Sequence, residues 1–249
     1  MRKTLTLLGR EAAAFARQGQ LMVLGPRRPR VVRDEADRVV VFVHGYGAAG
    51  AVFEPLRVEV ERRLGVPTVD FTYRSISSFG TITRDLAGLL DRLAAGRRLD
   101  LVGHSLGGLL SRWYVQEMDG ARHVDRIVTL ATPHAGTASA RIAPGPLGGV
   151  LLPGSAVVRR LQAGRARAGE VSHVALVAGA DMMVSPPSSA AAVEGAEVRW
   201  FAELGHNGML YDRSVHEAVI DSLSSSASAS SSASSSAEDP ARDRLAPTG

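Results

Sequence analysis

The sequence predicts an α/β fold: a mostly parallel sheet of about six strands, with helices on both faces and a short cap insertion. Three observations carry this. Short continuous apolar runs, the mark of strands covered on both faces, recur along the chain. Segments with apolar residues three and four apart alternate with them. The chain has 249 residues, 45% of them apolar and 22% charged, an ordinary globular composition with enough length for one full core.

Taken in order, residues 1–37 form an N-terminal extension, and 1–25 read as a loose amphipathic helix beside the core. Val39–Val43 is the first strand and Val66–Tyr73 the second. Ile82–Ala95 is a helix, with Leu86, Leu89, Leu90 and Leu93 on one side. Leu99–Val102 is a short buried strand, and Leu106–Met118 a helix. Ile127–Ala131, Val174–Ala178 and Val198–Phe201 are three further strands, and Val215–Leu223 closes the domain as a helix. Residues 135–170, rich in Gly, Pro and Ala and without a strand, are too long for a plain connection and read as a cap-like insertion. From 224 to 249 the chain is mostly Ser and Ala, with no apolar face to bury, so this tail is expected to be disordered.

Several function classes drop out. There is no cysteine, hence no disulfide, thiol nucleophile or Cys-ligated metal. No apolar run is long enough to span a bilayer. Arg10 and Glu11 cut short the apolar Leu5–Leu8, so no secretory leader is read and a cytoplasmic location is expected. The net charge is +4, and Lys3 is the only lysine among 29 basic residues. The arginines are scattered, and the cluster Arg27, Arg28 and Arg30 reads as solvated surface, not as a nucleic-acid site. No His-x-x-x-His pair is present, and no metal is expected.

The loop after Val39–Val43, His44-Gly45-Tyr46-Gly47-Ala48-Ala49-Gly50, admits two chemical readings. Gly45, Gly47 and Gly50 satisfy G-x-G-x-x-G, and Asp70 stands where a dinucleotide fold places its ribose-binding acid. The rival is an oxyanion loop facing an acyl site. The plain alternative is a tight glycine turn.

The second motif tips the balance. Leu99–Val102 runs into Gly103-His104-Ser105-Leu106-Gly107-Gly108, and an apolar helix follows. This is G-x-S-x-G between strand and helix, where a sharp turn lifts the serine Oγ out at the strand's carboxyl end. A serine nucleophile needs a base and an orienting acid, in the chain order Ser, acid, His. Asp181 follows Val174–Ala178, and His206 follows Val198–Phe201, so both reach the edge that carries Ser105. Of the other histidines, His104 is read as supporting the turn and His44 as buttressing the glycine loop. His134 is read as structural or site-lining; His123, His173 and His216 are read as surface or cap residues.

His44-Gly45-Tyr46-Gly47, Gly103–Gly108, Thr129-Leu130-Ala131-Thr132-Pro133-His134-Ala135-Gly136-Thr137, Asp181 ahead of Val184 and Pro186, and Gly205-His206 together resemble the α/β-hydrolase superfamily. They are most similar to its bacterial triacylglycerol lipase/esterase group. The resemblance covers roughly residues 38–222 and makes 38–223 the catalytic domain. It implies an acyl-ester hydrolase with the triad Ser105, Asp181 and His206, and an oxyanion hole from the Tyr46 and Leu106 N–H groups. Such chemistry needs no cofactor. No strand of the kind that larger hydrolases place ahead of Val39 is read in residues 1–38, nor the leader of secreted lipases, so a reduced sheet is expected. The expected partner is a small-molecule or lipid ester, with contact to a membrane surface left open. The apolar patch Leu147, Val150, Leu151 and Leu152 within 135–170 reads either as a small mobile cap, giving a substrate pocket lined by Leu151, Leu152 and His134, or as a packed surface loop. The competing functions are a nicotinamide oxidoreductase using Gly45–Gly50 and a non-catalytic hydrolase-fold binding protein.

Overall fold

The computed structural model describes residues 2–25 and 36–225. Six strands, β1 (Arg38–Val43), β2 (Thr68–Phe71), β3 (Arg98–His104), β4 (Val124–Leu130), β5 (Ser172–Ala178) and β6 (Glu197–Phe201), form one sheet in the order 2-1-3-4-5-6. Every pairing is parallel. Register places Val43 beside Gly103, His104 beside Leu130 and Ala178 beside Phe201, so the carboxyl ends share one edge. Loops leaving that edge carry the chemistry.

Because successive side chains point to opposite faces, each strand feeds two cores. Val39, Val41, Val43, Leu99 and Leu101 pack under α3 (Phe79–Leu93) and α4 (Leu106–Glu117). Val40, Phe42, Val102, Val128 and Leu176 pack under α2 (Glu54–Leu64) and α7 (Arg213–Ser224). This is why the strands read as unbroken apolar runs.

Ser78 caps α3 by accepting the Thr81 N–H, which starts that helix three residues before the apolar periodicity does. α2 escapes the periodicity altogether. Its inward residues are Leu56, Arg57 and Val60, and the buried Arg57 disguises the stripe by ion-pairing with Asp70. An N-terminal helix α1 (Arg2–Leu24) packs on the 3₁₀ turns Gly50–Phe53 and Gly208–Leu210. The insertion 135–170 holds a short turn of helix, α5 (Gly148–Leu151), and α6 (Ala156–Ala163). α7 runs through Ser224; the remainder of the Ser/Ala tail, 226–249, and the arginine cluster at 27–30 lie outside the described residues.

The insertion corrects one expectation. Leu147 and Leu151 are buried in the core beneath α3 and α4, and Leu152 packs partly buried against it. The apolar patch points into the domain, where it joins the core that α3 and α4 share.

Candidate active site

β3 turns into α4 through Ser105, whose backbone sits at φ 53° and ψ −123°, a strained conformation for an L-residue. Glycines on either side make the turn possible. A Cβ on Gly107 would lie 1.9 Å from the Val43 carbonyl oxygen, and one on Gly103 would lie 2.6 Å from the Gly108 Cα. The Ser105 N–H donates to Leu130 O at 2.9 Å, which ties the turn to the end of β4.

Asp181 lies just past β5 and His206 just past β6. The His206 Nδ1–H donates to Asp181 Oδ2 at 2.8 Å, with the two side chains 3% and 2% exposed. Asp181 Oδ1 accepts the Met183 and Val184 backbone N–H groups, both at 2.8 Å. The carboxylate thus shapes its own turn with one oxygen and orients the imidazole with the other. Among the described residues no hydrogen bond joins Ser105 to His206; what links the two is the turn's own His104. Its Nε2–H donates to His206 O at 3.1 Å, with ring centroids 4.7 Å apart. Burial lowers the His104 pKa well below the usual histidine range, so this prop stays neutral.

The glycine loop folds over the same turn: a Cβ on Gly45 would lie 3.0 Å from the Ser105 Cβ. His44 holds that loop. Its Nδ1–H donates to Gly45 O at 2.8 Å, its Nε2 accepts the Tyr73 N–H at 3.1 Å, and its ring stacks on Tyr73 at 4.1 Å. Burial lowers its pKa to about 4. Asp70 is engaged within the fold. It pairs with Arg57 at 2.7 Å and accepts from Thr72 Oγ1 at 3.1 Å, so no free acid is offered to a ribose. Among the described residues no group of three His, Asp or Glu is arranged to hold a metal ion.

Two histidine assignments change, and His134 takes the structural one of its two readings. It is fully buried. Its Nδ1 accepts from Arg112 Nη1 and its Nε2 faces Thr129 Oγ1, both at 3.1 Å. His173 joins the same cluster through Thr129 Oγ1 at 3.1 Å, and His216 donates to Leu210 O at 2.9 Å; both are buried, not surface residues. Polarity alone gives no sign that a histidine is enclosed by neighbouring elements.

A groove of about 590 Å³ does adjoin the site, elsewhere than expected. One wall is α1, with Leu8, Ala12 and Phe15; the other is Met182 and Met183, next to Asp181. Gly205 and Asn207, the neighbours of His206, also line it. α1 is fastened there by Glu11, which accepts the Asn207 N–H at 2.6 Å, Asn207 Nδ2 at 2.9 Å and the Gly208 N–H at 3.1 Å. Glu11 was not among the residues expected at the site. Its one sequence signal is that it is the lone acid in an otherwise basic helix.

With this geometry in place, comparison with known proteins is specific. The family described as palmitoyl protein thioesterase matches residues 39–191. The chain belongs to the palmitoyl protein thioesterase family. Solved structures agree on the fold of this thioesterase-family chain. The mature Bacillus licheniformis lipase BlEst2 is 20% identical, with a TM-score of 0.59 over 79% of this chain and 95% of its own. A Paleococcus ferrophilus monoacylglycerol lipase is 18% identical, with a TM-score of 0.56 over 74% and 92%. Aspergillus fumigatus lipase B is 15% identical, with a TM-score of 0.65 over 77% of this chain but 53% of its own. The palmitoyl protein thioesterase family member is therefore an α/β-hydrolase of the lipase, esterase and thioesterase type, with the six-stranded sheet expected.

Proposed function

We propose that the protein hydrolyses carboxylic esters or thioesters of apolar acyl groups through an acyl-enzyme on Ser105. The observation that carries this reading is the His206–Asp181 pair at the same sheet edge as the strained Ser105 turn. In the proposed reaction His206 Nε2 takes the Ser105 hydroxyl proton as Oγ bonds to the substrate carbonyl carbon. The resulting oxyanion is held by the N–H groups of Tyr46 and Leu106. The Tyr46 N–H donates to no loop or turn carbonyl among the described residues, and Leu106 opens α4, where an amide has no partner in its own helix. Collapse of the tetrahedral intermediate breaks the bond to the leaving oxygen or sulfur, which takes the proton from His206. Water, deprotonated by His206, then attacks the acyl carbon and releases the acid and Ser105. Asp181 keeps the proton on His206 Nδ1 throughout. The groove beside Met182, Met183 and Phe15 supports an apolar acyl group. Both oxygens of Glu11, its one acidic lining residue, are already bonded to the loop.

A fluorophosphonate should label Ser105 alone. A panel of p-nitrophenyl esters from acetate to palmitate, with an acyl thioester beside it, should show turnover that this label abolishes. Turnover that survives complete labelling would refute the reading.

A further inference from the structure

α1 turns one side inward and another outward. Glu11, Ala14, Gln18 and Leu21 face the domain, with Ala14 and Gln18 buried. Leu8, Phe15 and Met22, seven residues apart and so stacked along one side, are 47%, 64% and 39% exposed. Val23 and Leu24 follow at the helix's end, about 100° and 200° around it from Met22, and are 77% and 75% exposed. Across the groove Met182 and Met183 continue the side of Leu8 and Phe15, at 72% and 49%. Scattered exposed apolar residues are ordinary; five on one rim with two more at the end of the same helix are not.

Charge identifies the occupant. Residues 1–33 contain eight Arg or Lys and one acid, Glu11, whose carboxylate is bound to the loop at 207–208. The apolar rim therefore belongs to a strongly cationic segment, the pattern of a helix that lies in the boundary of an anionic bilayer. No described helix is long and apolar enough to cross one. A second copy fits poorly. A coiled-coil seam built on Leu8 and Phe15 would place Ala12 and Gly19 at the alternate positions, too small to interlock, and like charge would repel. A nucleic acid would use the cations and leave Phe15, Met22, Val23 and Leu24 in water.

We infer that α1 seats the protein on an anionic lipid surface. Leu8, Phe15, Met22, Val23 and Leu24 enter the acyl–headgroup boundary, and the loops of Asp181 and His206 face the lipid. This surface goes beyond the hydrolytic reading and does not depend on it.

The full chain is sedimented with phosphatidylcholine vesicles and with vesicles containing about 30% phosphatidylglycerol. Anionic vesicles should bind at least about tenfold more tightly, and raising NaCl to about 0.5 M should remove most of that gain. Val23→Ser combined with Leu24→Ser should weaken binding by about tenfold or more while leaving p-nitrophenyl acetate turnover and Tm unchanged. Ser105→Ala should bind as the parent does, so a failure of the catalytic reading leaves this result standing. Three results would each overturn the inference: equal affinity for neutral and anionic vesicles; heparin capture without vesicle binding; or dimerisation in the ultracentrifuge without vesicle binding.

Discussion

Glu11 and Asn207 are separated by most of the chain and joined by two hydrogen bonds, from the Asn207 N–H at 2.6 Å and from its side-chain amide at 2.9 Å. With the Gly208 N–H at 3.1 Å, one carboxylate holds the loop that follows His206. Glu11→Gln keeps the shape but sets an amide donor against a loop donor. The expected result is a fall in kcat of about tenfold with KM within about twofold, since small displacements of a general base are costly. Asp at this position should restore part of the loss. A fall in Tm with kcat intact would mean that Glu11 serves only to attach α1.

Ser105→Ala should abolish turnover of every ester and leave Tm within a few degrees, because the hydroxyl makes no hydrogen bond among the described residues on which the core depends. Residual activity within about tenfold of the parent would remove Ser105 from the mechanism.

Asp181→Asn offers a single oxygen where the fold uses two. Either the Met183 and Val184 amides or the His206 Nδ1–H loses its acceptor. A loss of about 10³–10⁴ in kcat is expected, with fluorophosphonate labelling slowed in proportion. Near-normal kinetics would assign the acid elsewhere.

Stability should fall in mild acid. His44 is neutral in the fold, with a pKa lowered to about 4 by burial, and His173 is lowered to about 3. His104 and His134 lie well below the usual range for the same reason. Unfolding returns each to about 6.5. Below that pH the unfolded chain binds protons that the native state refuses, so the stabilisation is complete above about pH 6.5 and is lost as pH falls toward 4. His44 alone accounts for on the order of 2 kcal/mol at pH 5. Calorimetry at pH 7.0 and 5.0 should show Tm dropping by well over five degrees. A flat profile would show that these histidines take up protons in the fold as readily as in the unfolded chain.

Gly107→Ala would drive a methyl to 1.9 Å from Val43 O, where only backbone can yield. Destabilisation of about 3 kcal/mol or more is expected by urea titration, with activity lost even where the protein stays folded. A change below about 1 kcal/mol would show that the turn is looser than its contacts indicate.

The sheet was legible because its strands are buried on both faces, so apolar runs announce each one. That Ser105, Asp181 and His206 reach one sheet edge is legible because each lies shortly past the carboxyl end of a strand. What periodicity could not reveal came from tertiary partners. α2 hides behind Arg57, whose burial depends on Asp70 thirteen residues on. Leu151 reads as a pocket wall because its destination, the core shared with α3 and α4, is invisible in local sequence. His134 and His173 share Thr129 only once β4 and β5 are side by side. Glu11 gains meaning only when α1 meets the loop at 207.

Leu161 O receives two buried donors from α4, Arg112 Nη2 at 2.9 Å and Gln116 Nε2 at 3.0 Å, while Arg112 also holds His134. The insertion is thereby pinned near its start and near its end, and the stretch between has anchors of its own: Tyr46 OH donates to Pro144 O at 2.5 Å, the Ala138 N–H to Ser185 O at 3.1 Å, and Leu147 and Leu151 sit in the core. Such a stretch is a coupler. A segment exchanged between 138 and 155 would reach the glycine loop through the carbonyl at 144 and the core through Leu147 and Leu151, so natural variation and laboratory recombination are held here to segments that keep those anchors.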